Sequence, residues 1–293
     1  MDHIPPMEIS PNLIACAPVS PVAPYLGGKR NLARRIIDRL GRVPHTIYVE
    51  PFVGMGGVFL RRPFRAHSEV INDISQDVAT LFRILQRHYV PFMDMLRWQI
   101  TGRAEFERLL AGAAASLTDL ERAARFLYLQ RTAFGGKIEG RNFGVSPGLP
   151  GRFDVTKLGS MLEAVHERLS GVVIERLPFQ DLIARYDRPE TLFYLDPPYW
   201  GSEKDYGSGV FARQDFQRLA ECLAGLQGRF ILSLNDHPEV RAMFQGFDIE
   251  AIETAYSIGP GTARGRIGEV LISGPKTAPN RLLPASKKRS DGR

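Results

Sequence analysis

Five residues, Leu195-Asp196-Pro197-Pro198-Tyr199, close the apolar run Leu192-Phe193-Tyr194-Leu195. Proline lacks an N–H and fixes its φ, so two in succession end a strand ladder and stiffen its exit. Asp196 is therefore expected at the carboxyl end of a buried strand, beside a rigid turn and an aromatic ring. Ligands bind at that end of open α/β sheets. An aspartate oxygen and a nearby proline carbonyl can both accept from one exocyclic amino group, and the ring of Tyr199 can stack on a flat base. That chemistry suits an enzyme that makes an amino nitrogen of a base attack an electrophile. A strand-end turn with a capping aspartate is the plainer reading; the apolar run before it and the aromatic after it speak against that.

Three upstream motifs can supply the rest of a site. Glu50-Pro51-Phe52-Val53-Gly54-Met55-Gly56-Gly57 follows a short apolar strand. Gly-x-Gly there lets the backbone turn tightly and approach a ligand, although the full G-x-G-x-x-G spacing is missing. Asn72-Asp73 ends the next apolar run, roughly 20 residues after the glycines, where an acid can bind ribose hydroxyls or merely cap a helix. Pro24-Tyr25-Leu26-Gly27-Gly28-Lys29-Arg30 precedes an amphipathic stretch. Its glycines and lysine can hold a carboxylate or phosphate at a helix start, but the P-loop spacing is absent.

The elements that must position these residues alternate. Strands are expected at Thr46–Val49, Glu69–Asp73, Val172–Ile174, Leu192–Leu195, Phe230–Leu234, Ile249–Ile252 and Glu269–Ile272. Helices are expected at Asn31–Leu40, Gln76–His88, Leu120–Leu129, Asp215–Leu226 and Pro238–Phe244. This order predicts an α/β protein with a mostly parallel sheet, helices on both faces and an antiparallel pair at the edge. Residues 90–165 break the alternation with helical patterns and a Gly-rich basic loop, and read as an inserted subdomain. The body is then 23–89 plus 166–274. Residues 1–22, with five prolines, read as a mobile arm, and 275–293 as a disordered basic tail.

Of the 293 residues, 44% are hydrophobic and 24% charged, as in soluble globular proteins. The net charge of +6 points modestly to a polyanionic partner. No apolar run is long enough to span a bilayer, and no signal peptide is visible at the N-terminus, so a cytoplasmic location is expected. Cys16 and Cys222 form neither a disulfide framework nor a metal-ligand spacing, and no metal is expected.

Taken together, Tyr25 to Lys29, Glu50 to Gly57, Asn72-Asp73 and Asp196-Pro197-Pro198-Tyr199 come in the order of the Dam-like (D12 class) DNA adenine-N6 methyltransferases, which the chain resembles over about residues 22 to 274. Leu127-Tyr128-Leu129-Gln130-Arg131 is similar to that family's Leu-Tyr-Leu-Asn-Arg, and Phe230 to Asp236 to its Ser-Asn-x-Asp strand. The resemblance implies a Rossmann-like methyltransferase sheet with an inserted DNA-recognition subdomain, S-adenosylmethionine as cofactor and double-stranded DNA as substrate. It implies that Tyr25, Gly28, Lys29, Glu50, Phe52, Gly54, Gly56 and Asp73 surround the cofactor, with Lys29 near its carboxylate end and Asp73 accepting from its ribose. It further implies that Asp196 lies between cofactor and base, that Asp196 and the Pro197 carbonyl accept the two N6 hydrogens beside the stiff Pro197-Pro198 turn, and that Tyr199 stacks on the extruded adenine.

The resemblance also has gaps. The family's Asn-Arg-x-x-x-Asn-Gly is here Gln130-Arg131-Thr132-Ala133-Phe134-Gly135-Gly136, and its Phe-Asn-x-Pro-Phe-Gly is reduced to Arg152-Phe153-Asp154-Val155. Both changes fall where DNA sequence is read, so the target site of the family's best-known members does not transfer. Arg131, Lys137, Arg141 and Arg152 are the candidate DNA contacts, with Arg122 and Arg125 beside them. A C5-cytosine enzyme would need a thiol in a Pro-Cys turn, and neither cysteine has one. Cytosine-N4 or RNA adenine methylation is the nearest alternative, and an inactive DNA-binding protein the alternative of another class.

Overall fold

The computed structural model describes residues 9–29, 31–145, 148–207, 209–255 and 266–275. The expectations for residues 1–8, Arg30, the segment 257–265 and the tail beyond 275 lie outside them.

The chain opens with β1 (Ile14–Ala15), α1 (Ala33–Arg42), β2 (Ile47–Glu50), β3 (Phe64–Arg65), β4 (Ser68–Asn72) and α2 (Gln76–Arg87). Ser75 caps α2, its side chain accepting from the Val78 N–H. Helices α3 (Tyr89–Leu96), α4 (Arg103–Ala111), α5 (Asp119–Thr132) and α6 (Val155–Arg168) follow without an intervening strand of the main sheet. A capping box of Thr118 and Glu121 starts α5. The alternation then resumes with β5 (Val173–Glu175), α7 (Phe179–Tyr186), β6 (Thr191–Leu195), α8 (Arg213–Ala224), β7 (Arg229–Asn235), α9 (Pro238–Met243), β8 (Phe247–Ala255) and β9 (Arg266–Pro275).

Seven strands form one sheet in the order β5-β4-β2-β6-β7-β9-β8. Within this sheet the described pairings are parallel except β7 with β9 and β8 with β9. The antiparallel pair thus sits at one edge, with the reversed strand β9 one place in from it. Every residue of β6 is buried, because side chains alternate between two covered faces. Tyr48, Ile71, Leu192, Tyr194 and Ile231 face one core, with α1 to α6 packed over it. Val49, Val70, Phe193, Leu195 and Leu232 face the other, under α7 to α9. From β2 the chain first builds outward through β4 and β5, then crosses to β6 on the other side. The reversal between β2 and β6 opens a crevice at their carboxyl ends.

Two sequence expectations need correcting. Residues 9–22 are not a loose arm. Ser10 N–H donates to Gly41 O at 2.8 Å, Cys16 N–H to Pro63 O at 3.0 Å and Val19 N–H to Leu60 O at 2.8 Å. β1 pairs with β3, and Val22 is buried. The prolines remove donors, but the N–H groups between them still find partners on the body. The helices of 90–165 also have no core of their own. Phe92, Phe106, Phe126 and Leu158 share one apolar cluster with Tyr48 and Leu192 of the sheet.

Candidate active site

A cavity of about 1440 Å³ lies over the carboxyl ends of β2 and β6. Small-ligand pockets run to about 1,000 Å³, so this one has room for a cofactor and part of a second substrate. Tyr25, Gly28, Lys29, Glu50, Phe52, Gly54, Asp73, Asp196 and Pro198 line it. Gly56, Pro197 and Tyr199 do not.

The glycine turn is set by backbone geometry. Gly54 has φ +49°, and a Cβ there would stand 2.9 Å from the Tyr25 ring. The Gly54 N–H donates to Asp73 Oδ2 at 3.0 Å, and Ser75 N–H to Asp73 Oδ1 at 2.9 Å. Burial pushes the Asp73 carboxyl up to about 6, while these two amides pull it down. Asn72 clamps the same region: its Nδ2 donates to Pro51 O at 2.9 Å and Leu177 O at 3.1 Å, and its Oδ1 accepts from Leu177 N–H at 2.8 Å.

Asp196 leaves β6 directly into this cavity. Lys29, 2% exposed, places Nζ 2.6 Å from Asp196 Oδ1. The same ammonium donates to Gly27 O at 3.2 Å and stands 4.4 Å from the centre of the Tyr199 ring. Lys29, expected at the carboxylate end of a cofactor, pairs with Asp196 and also lines the cavity. Burial raises the Asp196 pKa; Lys29 opposes the rise. Glu50 lies buried at the end of β2 and accepts from Tyr48 Oη at 2.6 Å. Burial, with the Asp196 charge adding to it, pushes Glu50 up to about 8 against the pull of Tyr48 and Arg62.

Sequence reasoning matched Phe230 to Asp236 to a family strand but gave no role to the two residues in it that hold the Pro-Pro turn. Ser233 Oγ lies 3.0 Å from Asp196 Oδ1. Asn235 grips Trp200 at both ends: its Oδ1 accepts from the Trp200 N–H at 2.9 Å, and its Nδ2 donates to the Trp200 carbonyl at 3.1 Å. Both sit on β7, whose register pairs Leu232 with Leu195. The available signal was Ser233, a polar residue inside the apolar run Phe230-Ile231-Leu232-Ser233-Leu234.

The basic residues divide. Arg131, Arg141 and Arg152 line the cavity, and Lys137 is exposed beyond it. Arg131 donates to Val22 O and, at 3.2 Å, to Arg152 O. Arg141 donates to Gln130 Oε1 at 3.1 Å, and Arg152 to Ala133 O at 3.2 Å. Arg122 pairs with Asp77 at 2.7 Å, and Arg125 donates to Leu109 O at 2.7 Å, so both brace the helices. Among the described residues, no group of three or more His, Cys, Asp or Glu could hold a metal ion, and no helix is long and apolar enough to cross a membrane.

Residues 25–258 match the family described as D12 class N6 adenine-specific DNA methyltransferase. The chain is 26% identical to the type II methyltransferase M1.LlaDCHI of Lactococcus lactis subsp. cremoris, over 86% of this chain and 94% of that protein. It is 21% identical to the type II methyltransferase M.CviBI of Paramecium bursaria Chlorella virus NC1A, over 86% and 96%. It is 26% identical to the DNA adenine methylase of Escherichia coli strain K12, over 84% and 92%.

Proposed function

The chain belongs to the D12 class of N6 adenine-specific DNA methyltransferases, and from that premise we propose that it moves a methyl group from S-adenosylmethionine to the exocyclic amino group of an adenine drawn out of duplex DNA. The observation that carries this reading is the meeting of the Gly54–Asp73 turn and Asp196 in one cavity. The residues present fit the cofactor's charge. Glu50, Asp73 and Asp196 all have carboxyls raised by burial, and Lys29 is already spent on Asp196. These acids favour the positive end of the cofactor, while Arg131, Arg141 and Arg152 line the same cavity.

S-adenosylmethionine supplies an electrophilic methyl group on a positively charged sulfur. Asp73 accepts from ribose hydroxyls, since each oxygen keeps a lone pair after binding its amide. Tyr25, Gly28, Phe52 and Gly54 form the wall, Gly56 makes the turn, and Glu50 with Asp196 favours the cationic end. Asp196 and the Pro197 carbonyl accept the two N6 hydrogens. This aims the nitrogen lone pair and offsets the positive charge that develops as it takes the methyl. Lys29 favours the ionised form of Asp196 against the burial that opposes it. Tyr199, whose ring has Lys29 against it, stacks on the base; such stacking returns about 1–3 kcal/mol of the few kcal/mol that extrusion costs.

The part 90–165 recognises the target. Lys137 meets phosphate, while Arg131, Arg141 and Arg152 offer the N–H groups that their carbonyl and amide partners leave over. The enzyme acts on DNA in the cytoplasm.

The test uses tritiated S-adenosylmethionine and phage DNA grown in a host without adenine methylation. Wild-type protein is expected to label adenine N6. Asp196→Ala should lower the single-turnover rate by about 10²–10³-fold with DNA affinity unchanged within about threefold. A wild type that labels no DNA, or an Asp196→Ala variant at full rate, overturns the reading.

A further inference from the structure

The pairing of β6 with β7 puts Asp196 beside Ser233, and the two hydrogen-bond donors found on Asp196 among the described residues fall on the same oxygen. Lys29 Nζ is 2.6 Å from Oδ1, and Ser233 Oγ is 3.0 Å from it. Ser233 Oγ also lies 3.0 Å from Tyr194 Oη and 3.4 Å from Leu195 O. Ser233 and Tyr194 are both fully buried. A serine hydroxyl has one proton and two lone pairs. The charged carboxylate takes that proton in a charge-assisted bond, stronger than the long contact to Leu195 O. Tyr194 must then donate to Ser233. The donors run one way, from Tyr194 through Ser233 to Asp196 Oδ1.

We propose that Ser233, oriented by Tyr194, is a positioning residue that fixes the rotation of the Asp196 carboxylate, so that Oδ2 is the oxygen presented to the adenine amino group. The proposal rests on the assignment of Asp196 as the acceptor of the N6 hydrogens. A carboxylate on a single C–C bond turns freely unless one oxygen is tied. Lys29 ties Oδ1 from the loop before α1. Ser233 ties the same oxygen from a second direction, the neighbouring strand, and Tyr194 orients the Ser233 hydroxyl.

The charged and titratable groups facing Asp196 are Lys29, Glu50 at the end of β2, Tyr194 on β6 and Glu269 on β9. Removing the Ser233 donor leaves this set unchanged and weakens only the ionised form of Asp196. The acid limb of the rate profile should therefore move to higher pH.

Single-turnover methylation of the same phage DNA is measured for Ser233→Ala, Ser233→Thr, Tyr194→Phe and the Ala/Phe double variant, each checked as folded by its melting curve. Ser233→Ala is expected to lose about 10- to 100-fold in rate and shift its acid limb upward. Its S-adenosylmethionine affinity by calorimetry should stay within about twofold. Ser233→Thr should return most of the rate, and the double variant should be no slower than Ser233→Ala, because the two hydroxyls act in series. A Ser233→Ala enzyme with wild-type rate and acid limb, a threonine variant as slow as alanine, or losses that multiply in the double variant would each overturn the proposal. A wild type that labels no adenine overturns the functional reading itself, and this proposal with it.

Discussion

Asp73 combines two roles that its neighbours make compatible. Its two amide bonds fix the carboxyl in the glycine turn, and burial lifts it to about 6. Hydroxyl donors prefer the ionised form, so cofactor affinity should be full well above that value and fall as pH drops through it. The expected loss between pH 7 and pH 5 is about tenfold, measured by calorimetry. Asp73→Asn should bind more weakly at pH 7.5 by about 1.5–3 kcal/mol and show little of this pH dependence. An asparagine variant with the wild-type profile would assign the titration to another group. Lys29 teaches the complementary lesson. Its residue type and its place before α1 pointed to an anion, and it does hold one, but the anion is Asp196 from a distant part of the chain. Local spacing carries no information about such a partner.

Among the elements, α5 is tied to residues 22–25 by Gln130 and by Arg131, which donates to Val22 O. Gln130, fully buried, donates to Pro24 O at 2.9 Å and to Gly136 O at 2.7 Å, while its Oε1 accepts from Arg141. Gly136 has φ +66°, and a Cβ there would come within 3.1 Å of the Tyr25 nitrogen, so the basic loop runs hard against the segment that carries Tyr25. Gln130→Ala should cost about 1–3 kcal/mol in thermal stability, because it leaves buried carbonyls unpaired, and should weaken DNA and cofactor binding together. Loss of stability with both affinities intact would confine Gln130 to structure. The inner strands were legible in the sequence as short apolar runs, and β6 and β7 were placed to within a residue or two; of β8 and β9 only the middles, Ile249–Ile252 and Glu269–Ile272, stood out from longer strands. The helix α7 was missed, since its eight residues follow β5 with little room for a period to show. The docking of residues 9–22 was missed because it rests on backbone bonds, which leave no pattern in side-chain type. Turn chemistry singled out Asp196, Asp73 and Gly54, which the fold brings to one cavity, whereas the contacts of Ser233 and Asn235 depend on the register of β7 against β6.

For the molecule as a whole, the cavity is a store of unfavourable charge. Glu50, Asp73 and Asp196 all hold protons more tightly than they would in an unfolded chain. Where the native state binds more protons than the unfolded one, stability falls as pH rises. Glu50 alone spans the window from its usual carboxylate range to about 8. The ligand-free protein is therefore expected to lose stability as pH rises from about 5 to 8, and Glu50→Gln should recover at least about 1 kcal/mol at pH 8 in denaturant titrations. A variant no more stable than wild type at pH 8 would show that Glu50 is ionised without cost. One last consequence follows from the position of β9 between β7 and β8. Both neighbours are made before it on the ribosome, yet neither can complete its ladder until β9 emerges. Until then the apolar edge of β7 stays open to any other strand, and β8 has no partner in the sheet. The last of the described strands to be translated is thus the keystone of the sheet, and the newborn chain is most in need of a chaperone just before it arrives.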